Sequence, residues 1–209
     1  MARPREFDER AVLDAASDIF WTKGYEATST RDLTAGTGLT PSSMYGAFGD
    51  KRGLFRRALD HYLVRLREKM SRLEATMSPG QAITGFLEDT IERSLEDALQ
   101  RGCMLVNAAL ETSSLDAEFR DAVAHELKLI EAFFHGRVTA GQTAGDLSSD
   151  HPADDAARQL LAVLLGVRVL ARVRPERELL TGAVRQTLGA LGLPPLPPTA
   201  GLVTGILKS

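Results

Sequence analysis

Apolar residues recur along this chain at intervals of three and four. The breaks between such runs fall at glycine, proline and short hydroxyl-bearing stretches, which predicts helices from end to end. Residues 8–23 form the first, with Val12, Ala15, Ala16, Ile19 and Phe20 on one side and Gly24 as its stop. Residues 29–36 form a short second helix. Ser29 can cap it, Asp32 completes a shortened capping box, Leu33 faces inward, and Gly36 and Gly38 break it. Thr40-Pro41 puts a hydroxyl at an N-cap and a proline at the first position of a third helix running to about Phe48. Past the turn Gly49-Asp50-Lys51, Asp50 caps a long fourth helix to about Glu74, striped by Leu54, Ala58, Tyr62, Leu66 and Leu73.

Ser78-Pro79 opens a fifth helix carrying Ile83, Phe86, Leu87, Thr90, Ile91 and Leu95, interrupted at Gly102. A short apolar segment, Cys103 to Leu110, follows, and then a helix from Asp116 to about Gly136 or Thr139 with Phe119, Val123, Leu127, Ile130 and Phe134 inside. Gly141 to Pro152 reads as a polar loop. Two more helices, about 153–173 and 176–191, are divided by Arg174-Pro175, and the proline-rich Leu193–Pro198 is extended. No segment alternates as a strand does, and no repeat is present. The fold class is all-α, divided into residues 1–60, residues 61–192 and a proline-rich tail at 193–209.

Composition narrows the picture only slightly. Hydrophobic residues make up 44% and charged residues 25% of 209, ordinary for a soluble globular protein. No apolar run approaches the length of a membrane span, and the N-terminus lacks a signal-peptide core. The single cysteine, Cys103, excludes an internal disulfide framework and fits a reducing, cytoplasmic setting. Net charge is −3, split as +2 over residues 1–75 and −5 over residues 76–209. This permits a nucleic-acid partner without indicating one.

The order short helix, tight turn Thr37-Gly38-Leu39, short helix at 29–48 is that of a helix-turn-helix. Leu33, Leu39, Met44 and Phe48 are placed to pack inward, leaving Thr40, Ser42, Ser43 and Tyr45 outward as donors for phosphates and base edges. Three stretches then agree in order and spacing with one family: Gly24-Tyr25-Glu26-Ala27-Thr28-Ser29-Thr30-Arg31-Asp32-Leu33, Thr37-Gly38-Leu39-Thr40-Pro41-Ser42-Ser43-Met44-Tyr45, and Phe48-Gly49-Asp50-Lys51-Arg52-Gly53-Leu54-Phe55. Over roughly residues 6–60 the chain resembles the TetR family of transcriptional regulators. The resemblance implies a three-helix DNA-binding domain, a connecting fourth helix and a divergent helical C-terminal domain. It also implies a homodimer that represses by binding double-stranded DNA at a palindromic operator until an unidentified small molecule binds. By position it assigns DNA contacts to Thr28, Arg31, Thr40, Pro41, Ser42, Ser43, Tyr45 and Lys51. Gly46-Ala47 departs from the family pattern, where a larger polar side chain is common, and Thr34 stands where alanine is usual. The first departure shifts weight for specificity to Ser42, Ser43 and the arm residues Arg3 and Arg5.

The C-terminal half carries its own arguments. Residues 156–171 are apolar on most sides, so that helix must be buried on more than one face. With its neighbour it forms a homodimer interface at about 153–191. Phe86, Met104, Phe133 and Phe134 offer an apolar lining for the effector, with Cys103 and Asn107 beside them. Asn107 either orients a ligand or satisfies a helix break. Cys103 is either a small core residue or, at a helix start that favours the thiolate, a sensor of electrophiles. The segment around it resembles one in a TetR subgroup with such sensors.

Catalysis is the first rival function. The four histidines are scattered, the Glu131/His135 pair lacks further metal ligands, and no nucleophile motif is present. No catalytic residue, cofactor or metal is therefore expected. An adaptor docking through its proline-rich tail is the second rival.

Overall fold

The computed structural model describes residues 7–112 and 117–198. Its helices are α1 Glu9–Lys23, α2 Thr30–Thr37, α3 Pro41–Phe48, α4 Lys51–Thr76, α5 Pro79–Glu96, α6 Met104–Thr112, α7 Ala117–Ala144, α8 Ala153–Val173 and α9 Arg177–Ala190, with no strand among the described residues. Arg3, Arg5, Asp116 and the tail from 199 onward lie outside the described residues.

The helix starts are set by side chains that satisfy otherwise orphaned N–H groups. Asp8 accepts from the amides of Arg10 and Ala11. Ser29 and Asp32 form a reciprocal capping box, Thr40 accepts from Ser43 N at 3.2 Å, and Asp50 accepts from Gly53 N at 2.6 Å.

The helix ends differ from the expectation in three places, one of them α5, which ends at Glu96 well before Gly102. Gly36 does not break α2, which closes at Gly38 in the left-handed region, φ 71°. Gly36 instead lets α2 lie close to α1, since a Cβ there would strike Ile19. The loop expected from Gly141 starts later, because α7 runs through Gly136 and Thr139 to Ala144. Buried Val138 and Gly141 keep its inner face packed. Gly145 then turns at φ 77°, and the amides of Asp146 and Leu147 both return to Gly141 O.

Helix α4 packs against α1 on one side and against α5, α6 and α7 on the others. Its buried set is accordingly wider than one stripe, adding Phe55, Leu59, Leu63 and Met70, while Tyr62 and Leu66 are only half-buried. Fully buried Glu126 on α7 joins it to α4, accepting from Arg67 Nε and Nη2 at 3.1 and 2.7 Å. Residues 193–198 are irregular, as expected, but they are seated on α5. Leu193 is buried and Thr84 Oγ1 donates to Pro194 O at 2.7 Å.

Candidate nucleic-acid interface

Leu33, Met44 and Leu54 are fully buried and hold α2, α3 and the start of α4 against α1. That packing turns the other face of α3 outward, exposing Pro41, Ser42 and Tyr45 and leaving Ser43 half-buried. An eight-residue helix spans about 12 Å, close to the width of the major groove. It carries no cationic side chain, so positive potential at its N-terminus comes from free amides.

The structure brings most of the expected contact residues to one surface. Tyr45 Oη lies 2.6 Å from Thr30 Oγ1, which fixes the phenol against α2. Lys51 Nζ donates to Glu26 O at 3.3 Å and sits 4.6 Å from the centroid of the Tyr25 ring. Arg31 is exposed on α2. The Thr40 hydroxyl serves first as a cap, accepting from Ser43 N and donating to Ser43 Oγ at 2.9 Å. Thr28 is the correction. It is 1% exposed, and its hydroxyl donates to Gly24 O at 2.6 Å, so it holds the α1–α2 turn and offers nothing outward. At Gly46 a Cβ would meet open space, so the departure there removes a side chain from the exposed face without disturbing packing. Behind this surface Lys23 pairs with Asp32 at 2.5 Å. Together with the Ser29 bonds, the pair holds the Asp32 carboxyl well below the usual range.

Sequence reasoning missed Thr30, whose role depends on a partner fifteen residues away. It also missed two acidic residues that tie the C-terminal helices to this unit. Glu111 on α6 accepts from Tyr25 N, and Glu118 on α7 takes Arg52 and Arg56 of α4. No local pattern could have marked either.

The residues expected to line an effector site are all buried. Phe86, Phe133 and Phe134 are buried with ring centroids 5.4–5.6 Å apart, so rings occupy the space between them. Asn107 is committed to the helix break, donating to Arg101 O and accepting from Arg172 Nη1, both at 2.9 Å. Cys103 and Met104 are buried at the start of α6, with Cys103 Sγ 3.8 Å from Tyr62 Oη. A cavity of about 350 Å³ opens beside Tyr62, walled by α1, α4, α5 and α8 through Trp21, Tyr62, Lys69, Asp89 and Arg168. Burial pushes the Tyr62 hydroxyl up and the Lys69 ammonium down to about 8. Among the described residues no group of His, Cys, Asp and Glu is assembled to hold a metal. None of their helices is long and apolar enough to cross a membrane.

Comparison with known proteins gives a consistent result. Residues 12–58 match the family model for bacterial regulatory proteins of the tetR family, and residues 79–187 that for the tetracyclin repressor-like C-terminal domain. The HTH-type transcriptional regulator YezE of Bacillus subtilis (strain 168) is 31% identical over 194 residues, spanning 91% of this chain and 100% of that protein. The HTH-type transcriptional repressor ComR of Escherichia coli (strain K12) is 27% identical, spanning 81% of this chain and 82% of its own. Among solved structures, a cysteine-substituted CifR in complex with 26-bp operator DNA superposes with a TM-score of 0.80 at 37% identity, over 90% of this chain and 99% of that one.

Proposed function

The chain belongs to the TetR family of bacterial transcriptional regulators, and on that premise we propose that it is a homodimeric repressor released from its operator by a small molecule. One observation carries the reading: a capped eight-residue helix that turns hydroxyls outward beside a lysine at the start of the next helix. Ser42, Ser43 and Tyr45 meet base edges and phosphates, the α3 amides and the Thr40 hydroxyl receive a phosphate, and Pro41 packs on the backbone. Lys51 and Arg31 flank the groove as phosphate contacts. The complex of CifR with operator DNA, at 37% identity, supports the reading of this chain as an operator-binding regulator.

The DNA-reading unit is α1 to α3 with the start of α4, and the remaining helices form the effector and dimer domain. Helix α8 buries Leu160, Leu164 and Val167 inward, yet leaves Val169 and Val173 48% and 69% exposed on its outer side. Alongside α9 this second apolar face is the dimer surface. The two recognition helices then fall about one DNA turn apart, 34–36 Å. We assign the chain no catalytic step and place it in the cytoplasm with its DNA.

The test is an anisotropy titration of the purified protein against DNA from its own upstream region and against random DNA. Specific binding with a steep salt dependence is expected. Equal affinity for the two DNAs at physiological salt would overturn the reading.

A further inference from the structure

The cavity between α1, α4, α5 and α8 has an unbalanced charge. Five cationic side chains line it against three carboxylates, and one of the five, Arg65, pairs with Asp14 outside the lining. Two of the three carboxylates are already engaged. Asp89 takes both Lys69 Nζ at 2.6 Å and Arg93 Nε at 2.8 Å, and Asp97 is held by Arg101 at 3.1 Å. Arg168 on α8 meets no carboxylate among the described residues, and its guanidinium reaches only Ser94 Oγ at 3.4 Å. A half-buried guanidinium without a counter-charge is costly, and its planar fork matches a carboxylate.

Apolar side chains line the cavity too. Trp21, Tyr62 and Leu66 face the same space. The indole Nε1 of Trp21 is buried with no acceptor among the described residues, an orphan donor at the edge of the cavity. Cations and aromatic rings lining one space select an amphipathic anion, and a volume of about 350 Å³ is at the small end of ligand sites.

We propose that this cavity binds a small organic monocarboxylate, its oxygens on Arg168 and Lys69 and its apolar body against Trp21 and Tyr62, and that this anion is the effector. The proposal rests on the reading of the chain as a ligand-released regulator. Position supports it, since Trp21 belongs to the DNA-reading unit and Arg168 to the dimer domain, so a ligand between them touches both.

Trp21 is the only tryptophan in the chain, so its emission reports on this cavity directly. The experiment titrates the full-length protein with phenylacetate and 3-phenylpropanoate, with their amides and with inorganic phosphate. The same preparation is assayed for operator binding. The carboxylates should shift Trp21 emission saturably and lower operator affinity about tenfold. The amides and phosphate should bind at least about tenfold more weakly, and Arg168→Gln should weaken the carboxylates by a similar factor. Arg168→Lys, which keeps the charge without the fork, should fall between.

Amides that bind as tightly as the acids, phosphate that binds as tightly, an unaffected Arg168→Gln protein of wild-type melting temperature, or no response at millimolar carboxylate would each overturn the proposal. If Arg168→Gln melts early, Lys69→Gln is the substitute and must show the same loss. Operator binding without any carboxylate response sinks the anion and leaves the regulator. A carboxylate response in a protein that does not discriminate its operator sinks the regulator and leaves the site.

Discussion

The carboxylate of Glu111 accepts a hydrogen bond from the backbone N–H of Tyr25 at 2.6 Å, joining the end of α6 to the turn between α1 and α2. Gly24 makes the approach feasible, because a Cβ there would stand 2.7 Å from Glu111 Oε1 and its φ of 83° excludes most side chains. Helix α6 begins at Met104, next to the Cys103–Tyr62 contact behind the cavity. One nine-residue rod therefore runs from the back of the cavity to the turn that positions α2. A second tie lies alongside it. Glu118 takes Arg52 and Arg56, and the Phe119 ring packs 5.2 Å from Phe55.

Glu111→Ala should thus loosen the DNA-reading unit from the effector domain without unfolding either. Losing a partly buried bond to a charged acceptor costs about 1–2 kcal/mol, readable as a lower urea midpoint at unchanged slope. The operator affinity of the ligand-bound and ligand-free proteins should also converge, because displacement of α6 no longer reaches Tyr25. Glu111→Gln keeps an accepting oxygen and should behave nearly as wild type. If Ala and Gln substitutions have the same effect on both readouts, the tie is not transmitting anything.

At the DNA surface, Lys51→Gln and Tyr45→Phe should fail in different ways. Lys51 is proposed to contact a phosphate, so its loss should weaken binding to operator and random DNA alike and reduce the salt slope by about 1 per protomer. Tyr45 is held by Thr30, so its phenol is presented in a fixed pose. Removing the hydroxyl should cost specific binding by about tenfold and leave the salt slope unchanged. Titrations at several salt concentrations separate the two, and an unchanged slope for Lys51→Gln would remove it from the interface.

Features written within four or five residues were legible in the sequence. Ser29 with Asp32, Thr40 before Pro41, Asp50 before α4 and Gly38 after α2 each fix a helix end by a local bond, and together they frame the helix-turn-helix. What depended on burial by the rest of the fold, or on a distant partner, was not legible. Thr28 reads as an outward hydroxyl until its bond back to Gly24 O is seen. The stop expected at about Gly136 or Thr139 is passed, because burial of Val138 and Gly141 carries α7 on to Ala144. The aromatic lining expected around Phe86 packs solid, whereas the actual cavity takes its walls from α1, α4, α5 and α8. Trp21, Arg168 and the Tyr62/Lys69 pair of α4 share no sequence window, and each alone is an ordinary residue of an amphipathic helix.

Two glycines near the recognition helix should respond oppositely to a methyl group. At Gly46 a Cβ meets nothing within 4 Å, so Gly46→Ala should stabilise α3 by about 0.5–1 kcal/mol through reduced chain entropy. At Gly53 the Cβ would run into the backbone carbonyl of Phe48, an atom that cannot swing aside. Gly53→Ala should cost about 1–3 kcal/mol and tilt α3 against α4. Thermal melts of the two proteins check this, and a Gly53→Ala protein as stable as wild type would contradict the turn geometry.

The cavity should also give anion binding a particular pH dependence. Burial lowers the Lys69 ammonium to about 8 from an ordinary 10.5, opposed by Asp89 and assisted by Arg93 and Arg168. Tyr62, on the same wall, is pushed upward and stays neutral through this range. Arg65, Arg72 and Glu68 share the lining. For stability the sign is that of a depressed lysine. Between pH 8 and 10.5 the unfolded chain binds more protons, so this group's destabilising contribution is relieved as pH rises through that window. For the ligand the sign reverses. A carboxylate favours charged Lys69, so its affinity should hold steady below pH 8 and fall above it, approaching a decade per pH unit, with a proton taken up on binding near pH 8–9. Trp21 titrations with phenylacetate between about pH 7 and about pH 9.5 read the fall, and calorimetry in buffers of different ionisation enthalpy reads the proton. Lys69→Gln should bind more weakly with a flat profile. A wild-type profile as flat as that of the variant would place the carboxylate away from Lys69.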